Sequence, residues 1–283
     1  MKREIVLLDG AVGTSLWEKA EKKGYAKDPV WRYNIEHPEI VKELCLDFLD
    51  AGAEIILTNT FGANRQNVSR TSYTVREIVR AGMEIIHDAL KGRAKIALSA
   101  GPLSTLLEPY GDLTEEECRE LYEEQLGAGM EAGADMIMLQ TFMDVEMMKI
   151  AADTAKQYGV PVFCTMTFGK KGRTMMGNSV EDIVRALEPV GIDGIGMNCS
   201  LGPDLALPII SEFREYTDLP LVFKPNAGMP LLAKGGETIT DYDPDTFVKD
   251  VAPALDFVSY IGGCCGCNAE YIRKLKAVID AGN

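Results

Sequence analysis

The sequence predicts a single (β/α)8 barrel of the TIM type, and three observations predict it. Eight short apolar runs, each bounded by turn residues, recur along the 283 residues. Amphipathic stretches separate them, and the runs are apolar throughout rather than alternating, as suits strands buried on both faces of a parallel sheet. Eight strand-helix units at this length favour a closed barrel over an open doubly wound sheet, so residues 1–283 read as one domain.

The elements follow in order. The first strand spans residues 4–9 (EIVLLD), then an extended segment covers 17–38 and a helix 40–49. Strands follow at 53–61, 95–101 and 134–142 in the first half, and at 161–168, 193–200, 220–228 and 257–265 in the second. Apolar residues at three- and four-residue spacing mark further helices at 121–130, 145–158 and 269–279. Thr114 with Glu117, and Ser179 with Asp182, are spaced to satisfy a first helical turn from both sides. The extended segments 17–38 and 229–244, after the first and seventh strands, read as long strand-to-helix loops, which lie over the catalytic face of a barrel.

Composition narrows the function. A net charge of −14 offers no basic footprint for nucleic acid or an anionic membrane, so neither is an expected partner. No run approaches the ~18 apolar residues of a membrane span, and the amino terminus lacks a secretory pattern, so the expected location is cytoplasmic. The seven cysteines are odd in number and unevenly spaced, which favours metal or catalytic use over a disulfide framework. Only two histidines are present, His37 before Pro38 and His87 in a helix pattern, and neither has the setting of a hydrolytic site.

Three cysteines stand at strand ends. Cys199 closes the sixth strand (GIGMNCS), and Cys264 and Cys265 close the eighth (YIGGCCGC); in a barrel these ends share one rim. Gly262, Gly263 and Gly266 are placed to let the chain turn sharply there. Zinc takes thiolates at ~2.3 Å in a tetrahedron, and three protein ligands leave the fourth position open. Three thiolates give a zinc unit of formal charge −1, a poor activator of water, yet a thiol of pKa ~8.5 bound there is deprotonated at neutral pH and stays nucleophilic. These residues alone leave two other readings open: small buried side chains, or redox pairing of Cys267 with Cys264 or Cys265.

The pair GMNCS and GGCCG resembles the zinc-dependent homocysteine S-methyltransferase family, in particular the homocysteine-binding module of cobalamin-dependent methionine synthases. Further motifs agree in order: LLDGAVGT (7–14), LTNTFGANR (57–65), GPL (101–103), MTFGKKGRTMMG (166–177), NCSLGP (198–203) and PNAG (225–228). The resemblance implies a homocysteine-binding barrel with Cys199, Cys264 and Cys265 as zinc ligands and catalytic centre. It also implies that Asn226 lends its side-chain oxygen when no thiol is bound, and that Asp9, Gly10 and Ala11 hold the amino acid's polar groups. Relatives place a glutamate for the substrate ammonium where this chain has Gln140. That loss should weaken homocysteine binding by ~1–3 kcal/mol unless Asp9, Asp144 or Glu146 compensates or the acceptor is another thiol. Cys267 stands where relatives have threonine, and is expected to be a solvent-side or helix-cap residue without a metal role.

The reaction so implied is an in-line displacement giving methionine. The resemblance to the methionine synthase module makes a separate methylcorrinoid protein the expected donor, and this sequence itself shows no corrinoid-ligating Asp-x-His-x-x-Gly run. S-methylmethionine and S-adenosylmethionine are the alternative donors, with betaine less favoured because the longer carboxyl-terminal arm of betaine-using relatives is absent. Two rivals of other classes are a non-catalytic zinc-binding subunit of a corrinoid methyltransferase complex and a thiol redox sensor.

Overall fold

The computed structural model describes residues 4–228, 230–232, 238–240 and 242–282. Its strands are β1 (Val6–Leu7), β2 (Ile55–Leu57), β3 (Lys95–Ala100), β4 (Met136–Phe142), β5 (Val162–Met166), β6 (Gly194–Asn198), β7 (Leu221–Lys224), β8 (Pro230–Leu232), β9 (Thr238–Thr240) and β10 (Tyr260–Ile261). Eight of them pair in parallel in the order β1, β10, β7, β6, β5, β4, β3, β2. A parallel bridge between Leu8 and Ile55, with the Glu54 N–H donating to the Leu7 carbonyl at 2.8 Å, joins the two ends into the expected closed barrel.

The helices are α1 (Val12–Lys22), α2 (Tyr33–Glu36), α3 (Pro38–Asp50), α4 (Arg65–Val68), α5 (Val75–Leu90), α6 (Glu115–Glu131), α7 (Val145–Lys156), α8 (Val180–Leu187), α9 (Pro203–Glu212), α10 (Pro244–Val251) and α11 (Ala269–Gly282). Both anticipated capping boxes form, at Thr114 with Glu117 and at Ser179 with Asp182. Among the described residues no helix is long and apolar enough to cross a membrane.

Two departures from the sequence reading have local causes. The segment expected to be a loop from residue 17 already lies inside α1, which buries Leu16 and Ala20. Its N-cap is Ala11, with no side-chain hydrogen bond, so the usual start signal is absent. The segment after β7 contains an antiparallel hairpin, with Leu231 opposite Ile239 in β8 and β9. Strands of three residues are too short to show a period; residues 229, 233–237 and 241 of that segment lie outside the described ones.

Inside the barrel, Leu8, Ile55, Leu57, Ala97, Met136, Met138, Phe163 and Val222 pack as one cluster, and a larger cluster fills the layer between strands and helices. The interior is therefore a plug of apolar side chains below, which leaves chemistry to the carboxyl ends of the strands.

Candidate metal centre

β6 and β10 deliver the three cysteines to the rim. Their sulfurs all lie within 4.8 Å of one another, and those of Cys199 and Cys265 are 3.7 Å apart. A metal with ~2.3 Å bonds at tetrahedral angles needs sulfurs roughly 3.8 Å apart, so the spacing fits one ion.

The backbone that achieves this is unusual. Cys199 and Ser200 have φ of 62° and 65°, the left-handed region that non-glycine residues seldom occupy, and the Cys199 N–H donates to the Lys224 carbonyl at 3.0 Å. The β10 turn is stitched to the PNAG turn: Cys264 N–H donates to the Pro225 carbonyl at 2.8 Å, and Ala227 N–H to the Cys265 carbonyl at 2.9 Å. Of the three glycines expected to permit the turn, only Gly266 has positive φ, at 84°. Gly263 serves close approach instead, because a Cβ there would sit 2.3 Å from the Cys267 Cβ.

Electrostatics single out one sulfur. The Cys264 thiol is held well below the ordinary thiol range because Cys199 and Cys265 both hydrogen-bond to its sulfur, with the Lys224 charge adding a smaller pull. Cys199 is pushed up by those same hydrogen bonds to Cys264 and Cys265, and further by burial. Three thiolates at this spacing repel, so ionising all of them requires a cation among them. Asn226, which is 4% exposed, has a side-chain oxygen with no hydrogen-bond partner among the described residues. Its N–H donates to the Leu201 carbonyl at 2.9 Å, which seats it between the Cys199 and Cys265 turns. A buried acceptor left unpaired costs ~1–3 kcal/mol, a cost that a metal ion would remove.

The cysteines border a cavity of about 390 Å³. Gly10, Ala11 and Gln140 line it, with Trp17, Trp31 and Phe61 supplying aromatic wall. Gln140 donates through Nε2 to Ser99 Oγ at 2.8 Å.

Asp9 is placed differently from a substrate contact. It is fully buried; Oδ1 accepts from Lys224 Nζ at 2.6 Å and Oδ2 accepts from the Leu57 N–H at 2.8 Å. Burial raises the Asp9 carboxyl above its usual value, opposed by the charge and hydrogen bond of Lys224. The two carboxylates considered as replacements are also engaged elsewhere or turned away: Asp144 caps α7 through the Glu146 and Met147 N–H groups, and Glu146 is exposed in the first turn.

Just before Asn268, whose Oδ1 accepts from the Glu270 N–H at the start of α11, Cys267 sits in the expected helix-cap region. It is fully buried rather than solvent-side, lies outside the sulfur cluster, and burial raises its thiol well above the ordinary value. His37 stacks on Tyr25 with ring centroids 3.8 Å apart, and His87 Nε2 lies 3.0 Å from the Ala132 carbonyl; neither reaches the cavity.

Two residues escaped the sequence reading. Lys224 ends an apolar strand, where a buried ammonium demands a buried carboxylate, and that was the available signal. Asn198, inside the NCS motif, accepts at Oδ1 from the Thr141 N–H and the Thr165 hydroxyl, both at 2.8 Å.

Comparison with known proteins places these features in context. The sequence profile of the homocysteine S-methyltransferase family matches residues 6–279. The methionine synthases of Mycobacterium leprae and Mycobacterium tuberculosis are each 29% identical to the chain, over 263 and 262 residues, which is 87% of this chain and 22% of theirs. The chain thus spans about a fifth of the length of these curated relatives. The metallated form of the homocysteine methyltransferase MmuM from Escherichia coli superposes with a TM-score of 0.81 at 22% identity, over 98% of this chain and 97% of that one. Its apo form gives 0.75 at the same identity, covering 98% and 96%. These two likenesses extend the barrel assignment over almost the whole chain.

Proposed function

The chain belongs to the homocysteine S-methyltransferase family of enzymes, and from that premise we propose that it methylates a thiol held at Cys199, Cys264 and Cys265, with homocysteine as acceptor and methionine as product. The observation that carries this reading is the set of three convergent sulfurs at the edge of a largely apolar cavity.

Cys199, Cys264 and Cys265 would hold zinc, with Asn226 Oδ1 as a replaceable fourth donor. When bound, zinc supplies the positive charge that keeps an acceptor thiol deprotonated at neutral pH while leaving its sulfur nucleophilic. The chain's own residues do the rest. Trp17, Trp31 and Phe61 exclude water from the acceptor's carbon chain. The first turn of α1 borders the cavity, and its N–H groups, which have no helical acceptor, suit a carboxylate. Lys224, fixed by Asp9, puts a positive charge close enough to Cys264 to favour its thiolate. Asp9 thereby acts through Lys224 rather than on the substrate. Holding acceptor sulfur and incoming methyl group in line supplies much of the rate.

The methyl donor in this reading is a methylcorrinoid carried by a separate protein, a proposal supported by the methionine synthase relatives. Incubation of zinc-loaded protein with L-homocysteine and methylcobalamin should yield methionine. Formation of methionine only with S-methylmethionine or S-adenosylmethionine would replace the donor; none with any of the three would overturn the enzyme reading.

Gln140 carries a further expectation. Among the described residues lining the cavity with it there is no aspartate or glutamate to meet a substrate ammonium. Gln140→Glu would offer an ammonium a charged acceptor, and should lower KM for homocysteine about tenfold with kcat little changed, measured in steady-state assays. An unchanged KM would mean that the ammonium does not face Gln140.

A further inference from the structure

Asn198 ends β6 with its side chain 1% exposed and every hydrogen-bonding position of its amide engaged. Oδ1 accepts from the Thr141 N–H and from the Thr165 hydroxyl, each at 2.8 Å. Nδ2 donates to Thr141 Oγ1 at 2.7 Å and to Cys264 Sγ at 3.7 Å.

The orientation of the amide follows from chemistry. A backbone N–H can only donate, so the group facing Thr141 N must be the oxygen. The NH2 group is thereby aimed at Cys264, whose sulfur lies within 4.8 Å of those of Cys199 and Cys265. Thr141 has φ of 67°, rare for a β-branched residue, at the point where the β4–β5 register shifts between Leu139 and Phe142. Its N–H and its hydroxyl are both bonded to Asn198, so the same amide holds this strained turn. Thr141 follows Gln140 directly, and both line the cavity.

We propose that Asn198 is a positioning residue that joins the acceptor-binding end of β4 to the metal-ligating sulfur of Cys264, withdrawing charge from that sulfur and so setting how strongly the centre binds an acceptor thiolate. Two requirements meet in one side chain. The clamp on Thr141 needs an oxygen facing β4, and the damping of sulfur charge needs an N–H facing β10; an amide meets both, whereas a carboxylate or an aliphatic side chain of that size does not. A hydrogen bond to a ligating sulfur makes it a poorer electron donor, the centre becomes less electron-rich, and an incoming thiolate is repelled less. The inference rests on the reading that the three cysteines hold a metal, and the test separates the two.

The experiment uses Co2+ loaded into the full chain, followed by its thiolate-to-metal charge-transfer absorption, with KM for homocysteine measured on the zinc form. Wild-type protein that gives no thiolate band overturns the metal reading and this inference with it. Given that band, Asn198→Asp is the decisive variant. Its oxygens can still accept from Thr141 and Thr165, and the Thr141 hydroxyl can rotate to donate, so only the contact with Cys264 changes from attraction to repulsion. The band should move to lower energy at unchanged metal stoichiometry, and KM for homocysteine should rise about tenfold, the scale of one lost hydrogen bond to a charged group. Asn198→Ser, too short to reach Cys264 from β6, should give a smaller shift in the same direction and stands in if the aspartate variant does not fold. A band at wild-type energy with an unchanged KM in either folded variant would overturn the proposal, because a purely structural asparagine would alter thermal stability without moving the sulfur transition.

Discussion

Cys264→Ala is expected to abolish both metal retention and methyl transfer. Cys264 is the hub of the cluster: the Asn198 amide donates to its sulfur, the sulfurs of Cys199 and Cys265 lie within 4.8 Å, and it is the thiol most readily ionised. Removing it leaves only the sulfurs of Cys199 and Cys265, one ligand short of the three that the cluster offers an ion. Zinc content after dialysis should fall from one per chain to trace levels, and kcat/KM should drop at least about a thousandfold, because several kcal/mol of charge stabilisation are lost and each 1.36 kcal/mol is tenfold. Cys267→Ala is the matched control. Its sulfur is buried outside the cluster, so metal content should be unchanged. Elemental analysis of both variants checks the assignment, and zinc loss in Cys267→Ala at full Cys264→Ala occupancy would reverse it.

The second large effect concerns stability. Asp9→Asn should destabilise the fold by ~3–5 kcal/mol, lowering the unfolding midpoint by roughly 10 °C, because it leaves the Lys224 ammonium buried without a counter-charge. Lys224 is 2% exposed, and the Asp9 Oδ1 is 2.6 Å from its Nζ, so water cannot replace the partner. The Leu57 N–H would keep its acceptor if the amide oxygen turned to it, which confines the loss to the ion pair. Joint replacement, Asp9→Asn with Lys224→Met, should recover much of the stability, since replacing both charges by neutral groups removes the desolvation cost as well as the attraction. Scanning calorimetry of the single and double variants measures the coupling directly; additive losses would show that the two side chains do not act as a pair. The pair links β1 to β7 across the barrel rim and supports Cys264, so the single variant should weaken metal binding too.

Much of the architecture was legible because its causes are local. Eight apolar runs appear as eight parallel strands, and two capping boxes appear where a hydroxyl and an acidic side chain stand three residues apart. α1 was missed because Ala11 cannot cap, and the β8–β9 hairpin because three-residue strands carry no period. The convergence of Cys199 with Cys264 and Cys265 followed from strand ends sharing a rim, which topology guarantees once the barrel is accepted. What could not be read is which polar groups find one another across the barrel. Asp9 looks like an exposed turn residue in LLDGAV, yet it meets Lys224 from 215 positions away. Asn198 looks like a neighbour of a ligand, yet its amide spans three strands. The role of Cys267 was equally hidden, since threonine and cysteine fill similar volumes and only packing against Gly263 and the Pro225 carbonyl shows it to be buried.

The central claim is that a metal held by these sulfurs binds the acceptor as a thiolate. Calorimetric titration of L-homocysteine into protein verified to carry one zinc, repeated in two buffers of different ionisation enthalpy, counts the protons released on binding. Saturable binding at one site with about one proton released at neutral pH is the predicted result, because a free thiol of pKa ~8.5 enters the site deprotonated. Zinc-loaded protein that does not bind homocysteine, or binds it with no proton released, would contradict the account.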